Sequence, residues 1–168
     1  MSGIQIHIDG LERAIKNASP ELLDKPLRNF FARATIAIQN RARQNAPVDT
    51  GRLRSSIGTR VDSGNPPAWG EVGTNVQYAP YMEYGTGLFA EGPNAKGDRH
   101  FPPGGALDVW AARHGFDSGF TVAQIIGRRG GLRPRRYLRN AVKESLGDVR
   151  EYVKRMAGEI ADAWGKAQ

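Results

Sequence analysis

Residues 20–57, PELLDKPLRNFFARATIAIQNRARQNAPVDTGRLRSSI, join a long helical pattern to a turn. Pro20 fits the first position of a helix, and apolar residues recur at helical spacing, so a helix is predicted over 20–46. Pro26 lacks an amide donor and is expected to kink or restart this helix. Pro47 ends it, and the residues that follow have the chemistry of a turn leading into a sheet.

The sequence around this stretch predicts a small antiparallel sheet. Ile4, Ile6 and Ile8 alternate with polar residues, as in a half-buried strand. Two further strands are expected over 53–61 and 69–76, joined as a hairpin. In the first of these, Arg52 and Arg54 would lie on one face and Leu53 on the other.

The last segment has the most regular apolar pattern and predicts a helix over 137–164. Its apolar residues follow a 3-4-3-4-3 spacing, and they are Leu146, Val149, Val153, Met156, Ile160 and Ala163. Such a stripe packs on its own sheet or joins a coiled coil, and its shortness, with Gly147 and Gly158 inside it, favours packing within the chain. We therefore expect a single α+β domain over 1–168, with the small sheet packed by the 20–46 and 137–164 helices.

Between the sheet and the last helix the composition shifts to glycine and proline. Residues 85–105 predict a long loop, which is either a contact loop that orders in an assembly or a tolerated insertion. Short helices are expected over 106–114 and 121–126. The remaining feature is a row of three tyrosines at three-residue spacing, for which packing against the sheet edge and core is the favoured interpretation; they are Tyr78, Tyr81 and Tyr84.

The positive charge is concentrated in one segment. The formal net charge is +7, and residues 128–139 hold six arginines and no acid, so the other 156 residues sum to +1. Such a patch is able to meet nucleic acid, an anionic lipid surface or an acidic protein, and a solvated loop is the plain alternative. The candidate interaction or DNA-channel residues are Arg128, Arg129, Arg133, Arg135, Arg136 and Arg139.

No motif for catalysis or cofactor binding is recognisable. The chain has no cysteine, and its glycine-rich stretches lack the context of a P-loop or a dinucleotide site. Neither a zinc-finger pattern nor a helix-turn-helix context indicates direct DNA readout. Four acids, Asp49, Asp62, Glu71 and Glu83, would have to converge to form a nuclease metal site, and acids this frequent are common on surfaces. We predict no catalytic, cofactor-binding or metal-ligating residues.

No apolar run reaches the length of a membrane span, and the first residues lack the pattern of a secretory signal. Synthesis in the cytosol is therefore expected.

Three blocks of sequence suggest a family. They are NAPVDTGRLRSSI at 45–57, then VGT at 72–74 with YAPYMEYGT at 78–86, and RPRRYL at 133–138. In order and spacing they resemble the gene-10-type tail-component proteins of tailed bacteriophages, a family grouped with minor tail protein Z. Arg136-Tyr137 departs from the pattern, because a Pro-Phe pair is commoner there.

The resemblance implies a non-enzymatic virion protein of the neck, made in the host cytoplasm. It implies a role in tail completion or head-tail joining, as a ring of six subunits that connects the tail to the capsid connector and lets DNA pass. Expected partners are copies of itself, head-completion or connector proteins, and tail terminator or tail tube proteins. Non-specific contact with double-stranded DNA in the channel is a further expectation, and no membrane is involved.

Two groups of residues become candidates on this basis. Those expected to shape the turn are Pro47, Asp49, Thr50, Gly51, Arg52 and Leu53. Those expected to contact another subunit through the 85–105 loop are Tyr84, Gly85, Thr86, Leu88, Phe89 and Phe101. The alternatives left open are a basic nucleic-acid-binding accessory protein and a small metal-dependent nuclease.

Overall fold

The computed structural model describes residues 2–6, 20–92, 95 and 97–166, with the backbone alone at Ser2 and Ile6. The chain divides into two compact units. We call residues 1–76 with 137–168 the terminal unit, and residues 77–136 the middle unit. The predicted strand at 4–8 is seen as β1 (Ser2–Ile6), and Ile8 lies outside the described residues.

Two long helices form the larger part of the terminal unit. They are α1 (Pro20–Asn45), which continues through Pro26 without a break, and the last helix, α6 (Tyr137–Lys166). They run antiparallel, because Asn29 bonds to Glu159 near one end (3.3 Å) and Asn45 bonds to Glu144 near the other (3.0 Å). Both predicted helices are confirmed.

The face of α6 that packs on α1 differs from the predicted stripe. Val149, Met156 and Ile160 do contact the core, but Leu146 and Val153 are 46% and 39% exposed. The remaining inward positions are Tyr137, Leu138, Ala141, Ser145 and Tyr152. Residues spaced seven apart rotate by about 20° around a straight helix. A stripe with heptad spacing therefore moves away from the buried face along the helix.

The described strands form a three-stranded antiparallel sheet in which β3 (Gly70–Thr74) lies between β1 and β2 (Gly58–Val61). Val72 pairs with residues of both neighbours, Ile4 and Thr59. At Gly70 an added Cβ would lie 2.8 Å from a methyl carbon of Thr35 on α1, so the strand packs directly against the helix. Together with the long helices this confirms the α+β class.

The strand predicted over 53–61 is wrong in its first half. Residues Arg52–Ser56 form a short helix, α2, and only Gly58–Val61 is extended. The Ser55 amide bonds to the Gly51 carbonyl oxygen (2.9 Å), and the Ser56 hydroxyl donates to the Leu53 carbonyl oxygen (2.8 Å). Leu53 and Ile57 are both buried, and a four-residue spacing suits a helical turn as well as a strand. The prediction that Arg52 and Arg54 lie on one face of a strand, with Leu53 on the other, is therefore wrong.

The middle unit consists of short elements. They are α3 (Ala79–Tyr84), α4 (Asp108–Arg113) and α5 (Gly119–Arg128), with single 3₁₀ turns at Gly87–Phe89 and Gly104–Leu107. The two helices predicted after the glycine-rich loop are confirmed as α4 and α5. Between the 3₁₀ turns, the described residues of the loop are irregular, as predicted.

The loop between β2 and β3 is organised by one carboxylate. Asp62 accepts hydrogen bonds from the amides of Ala68 (2.9 Å) and Gly64 (3.2 Å), and these bonds, the first most strongly, lower the pKa of Asp62 from its usual 3.8. A depressed folded-state pKa contributes stability above the unfolded pKa, and this contribution is lost as the pH falls through the folded value.

We therefore expect Asp62→Asn to destabilise the protein more at pH 7 than at a pH below the lowered pKa of folded Asp62, where the carboxyl is protonated in both the folded and the unfolded protein. Urea unfolding of both proteins across this range measures the effect. Parallel pH profiles for the two proteins would contradict the assigned role of Asp62.

Candidate functional site

The signature turn, residues 47–53, links α1 to α2 through a backbone that requires glycine. Gly51 has a φ of 81°, in the left-handed region that side-chain-bearing residues rarely adopt. The Thr50 hydroxyl oxygen accepts a long hydrogen bond from the Arg52 amide (3.4 Å), and Leu53 enters the core at 2% exposure. Pro47 is half-buried, and the exposed members of the turn are Val48, Asp49, Thr50 and Arg52.

The end of the same block is tied to α1 by contacts that the sequence did not reveal. The Ile57 carbonyl oxygen accepts hydrogen bonds from the side-chain amide of Gln39 (2.9 Å) and from two guanidinium nitrogens of Arg43 (2.7 and 3.2 Å). Gln39 and Arg43 are four residues apart, so they lie on one side of the helix. This spacing is the only feature of the local sequence that indicates a shared partner. These hydrogen bonds hold the residue before β2 against α1.

Two segments of the middle unit, 82–88 and 130–136, lie side by side in opposite directions. The outer bonds are from the Arg135 amide to the Met82 carbonyl (2.7 Å) and from the Leu88 amide to the Gly130 carbonyl (2.8 Å). Between them, the Thr86 amide donates to the Leu132 carbonyl (2.8 Å), and the Leu132 amide donates to the Thr86 hydroxyl (2.9 Å). The structure thus brings together two blocks of the chain that are about 45 residues apart.

Glycines make this close pairing possible. At Gly85 an added Cβ would lie 2.7 Å from the Leu132 carbonyl oxygen, and at Gly87 it would overlap the Gly130 carbonyl oxygen. Both residues also have positive φ values, 70° and 67°. The candidate contact residues Gly85 and Thr86 therefore form the framework of the middle unit, and both are buried.

The six candidate arginines do not share one environment. Arg139 belongs to the terminal unit and is half-buried on α6, whereas the other five are exposed on the middle unit. Nε of Arg136 lies 3.0 Å from each carboxylate oxygen of Glu91, a pairing that raises the pKa of Arg136. Arg133 lies over the ring of Phe89, 4.9 Å from its centroid. Arg133 and Arg136 thus contact residues at the start of the 85–105 loop.

Arg136 also occupies an unusual backbone conformation. Its φ is 53°, which proline is unable to adopt because its ring holds φ near −65°. The departure from the family pattern at 136–137 therefore coincides with a backbone conformation that excludes proline. The arginine at this position also binds Glu91.

The middle unit exposes most of the large apolar side chains seen at the surface of the described residues. Its exposed members are Tyr78 40%, Tyr81 52%, Tyr84 40%, Leu88 52%, Phe101 48%, Val109 73%, Phe116 37% and Phe120 64%. Its buried apolar residues are small, namely Ala79, Ala111, Val122 and Ala123. The interpretation of the three tyrosines as core residues is therefore wrong. Contiguous exposed apolar surface is typical of a protein–protein contact.

Part of this exposed surface lies along α5. The rings of Tyr81 and His100 are 6.4 Å apart, and the next residue, Phe101, lies against Gly127 of α5. One loop turn later, Gly104 contacts the backbone of Phe120 at the opposite end of the same helix (3.0 Å from an added Cβ). The loop thus runs along α5, and Phe101 is 48% exposed beside it.

The acids considered for a nuclease site have other roles. Asp62 organises its loop, and Glu71 pairs with Arg60 at 2.9 Å. Asp49 belongs to the terminal unit with these two, whereas Glu83 is buried in the middle unit. Among the described residues, no cluster of three or more candidate ligands is placed to hold a metal ion. Over the same part of the chain, no helix is long and apolar enough to span a membrane.

A family model matches residues 9–85, and its description is "Bacteriophage HK97-gp10, putative tail-component". The matched residues include the signature turn, both strands of the hairpin and α3. Over this region the chain is similar to the HK97-gp10-like family. The match confirms the resemblance to gene-10-type tail components. Searches of curated proteins and of solved structures found no match to the chain.

The family is one of structural tail components of bacteriophages, so it indicates contacts with other virion proteins. The match ends at Gly85, and the arginine-rich segment and α5 lie beyond it.

Proposed function

We propose that this tail component acts at the neck of the virion, where it completes the tail and joins it to the head. The chain acts there as one subunit of a closed ring, six copies in the simplest case, through which the DNA passes. Its neighbours are head-completion or connector proteins on one side, and tail terminator or tail tube proteins on the other. The activity is assembly rather than catalysis.

The observation that carries this proposal is the exposed apolar surface of the middle unit. Its eight large side chains expose on the order of 800 Å², taking about 200 Å² for each whole side chain. One partner in a standard protein–protein interface contributes about the same area. The middle unit also buries few large residues of its own, so a neighbouring subunit supplies the cover that the unit lacks.

A complementation experiment tests the neck role. Tails from an infection that lacks this protein are mixed with purified protein, and isolated heads are then added. We expect the protein to bind the tails in a fixed ratio and to make them competent to join heads. Tails that join heads equally well without it would contradict the proposal.

A second candidate, a basic nucleic-acid-binding accessory protein, is favoured by three exposed arginines that the loop contacts described above do not engage. They are Arg128, Arg129 and Arg135. Contacts with DNA phosphates would be independent of sequence and steeply dependent on salt.

We expect the three-alanine variant of these arginines to bind DNA about as feebly as the native protein. A gel-shift series over salt concentration measures this, because each phosphate contact contributes about 0.9 to the slope of log K against log salt. A slope reduced by about 3 in the variant would support the accessory role. An unchanged slope leaves the arginines available for protein contacts.

A further inference from the structure

The middle unit has two ends of opposite character, joined by α5. One end, the acidic end, contains α4 and the start of α5 (108–121); the other, the basic end, contains 82–91, 98–101 and 127–136. Asp108 accepts a hydrogen bond from the Gly119 amide (2.8 Å), which fixes α4 at the start of α5. The Leu88 amide bonds to the Gly130 carbonyl, which fixes the second set of residues at the end of α5.

The two ends differ in charge. The acidic end carries two acids, Asp108 and Asp117, against one arginine, Arg113, whose Nε donates to the Val109 carbonyl oxygen of its own helix (3.2 Å). The basic end carries six arginines against three acids. These residues are Arg99, Arg128, Arg129, Arg133, Arg135 and Arg136, with Glu83, Glu91 and Asp98. The net charges are therefore −1 and +3, and the ten-residue helix that joins the two ends is about 15 Å long.

Both ends also expose large apolar side chains. The acidic end presents Val109, Phe116 and Phe120, and the basic end presents Tyr84, Leu88 and Phe101. Each end thus combines an apolar contact surface with a charge that complements the other end. Two copies of the same end would instead bring like charges together.

We infer that the basic end of one copy binds the acidic end of the next copy, so that middle units associate head to tail. This inference rests on the proposed ring and names the surfaces that build it. A contact between two different surfaces of the same chain closes into a ring when the rotation permits. The occupant of the exposed apolar surface is therefore a second copy of this chain.

The same geometry implies a weak contact between isolated copies. The six apolar side chains bury on the order of 600 Å² in one contact, about half of the roughly 1,200 Å² at which specific interfaces begin. Closure of a ring, or binding to a tail, makes the later contacts intramolecular and strengthens the assembly. The arginines of the basic end then meet protein carboxylates rather than DNA.

Cysteine cross-linking tests the contact, because the native chain has no cysteine to confuse the result. One chain carries Asp117→Cys and a second, of different size, carries Arg129→Cys. We expect the mixed pair to form a disulfide faster than either variant with itself, and faster than Arg129→Cys with Ile36→Cys. Ile36 is an exposed control in the terminal unit, at 50% exposure. Equal rates for all pairs would overturn the inference.

Charge reversal provides a second readout that does not depend on disulfide geometry. Asp117→Arg gives a chain with two basic ends, and Arg128→Asp with Arg129→Asp gives a chain whose basic end loses its charge excess. Each variant alone is expected to lose association in light scattering, and an equal mixture is expected to recover it by alternating around the ring. If neither variant alone loses association, or if the mixture does not recover it, the inference is overturned.

The complementation of tails separates this inference from the proposed function. If the native protein joins heads to tails but the cross-links show no preference for opposite ends, the head-to-tail contact is wrong and the neck role stands. If the native protein does not restore joining, the neck role itself fails, whatever the cross-links show.

Discussion

Replacing Gly87 with alanine is expected to lower the free energy of unfolding of the middle unit by about 2–6 kcal/mol. Strain at a positive φ and overpacking each contribute about 1–3 kcal/mol of this. The added Cβ would overlap the Gly130 carbonyl oxygen. This backbone oxygen also accepts a hydrogen bond from the Leu88 amide, so it has little freedom to move. Hydrogen exchange at the amides of Thr86, Leu88 and Leu132 reports the loss directly.

Gly115→Ala is the matched control for this substitution. Gly115 has a φ of 74°, close to the 67° of Gly87, but an added Cβ there would meet nothing within 4 Å. It therefore shares the backbone strain without the overlap, and Gly115→Ala is expected to lower the free energy of unfolding by about 1–3 kcal/mol, the strain contribution alone. Equal stability of the two variants would contradict the assigned role of the paired segments.

The double substitution Val109→Asp with Phe120→Asp is expected to reduce head-tail joining by a factor of about 100 or more. Burying a carboxylate without a partner costs several kcal/mol, and about 1.4 kcal/mol corresponds to a factor of ten. The monomer is expected to stay folded, because these side chains are 73% and 64% exposed. The measurement is the yield of joined particles from tails that lack the protein, with circular dichroism as the check on folding.

A matched pair in the terminal unit controls for added negative charge. Ile36→Asp with Trp164→Asp alters two side chains that are each 50% exposed and lie outside the proposed contact. This variant is expected to join heads and tails as the native protein does. Equal losses in the two variants would show that the middle unit has no special part in assembly.

The long helices and the central strands were predictable because their apolar spacing is regular over many residues. The short helix at 52–56 was not, since Leu53 and Ile57 are compatible with a strand and with a helical turn. The signal that was available is the left-handed Gly51 followed by two serines, whose hydroxyls satisfy carbonyls of a single turn.

The candidate surface was predicted in composition but not in arrangement. Tyrosine is found in cores and at surfaces, so the spacing of Tyr78, Tyr81 and Tyr84 indicated a helical turn without saying which side is exposed. The bond between Arg136 and Glu91 joins residues 45 positions apart, and no local pattern announces such a pair. Long-range pairing of this kind follows from the tertiary fold alone.

A reconstruction of the virion neck by electron cryo-microscopy, without imposed symmetry, tests the neck role most directly. Virions that carry a small tag on this protein are compared with untagged virions. We expect a closed ring of tagged subunits between the head connector and the tail tube, with each middle unit contacting the next. Tag density along the tail tube or at the distal tip, or no density in the virion, would contradict the account.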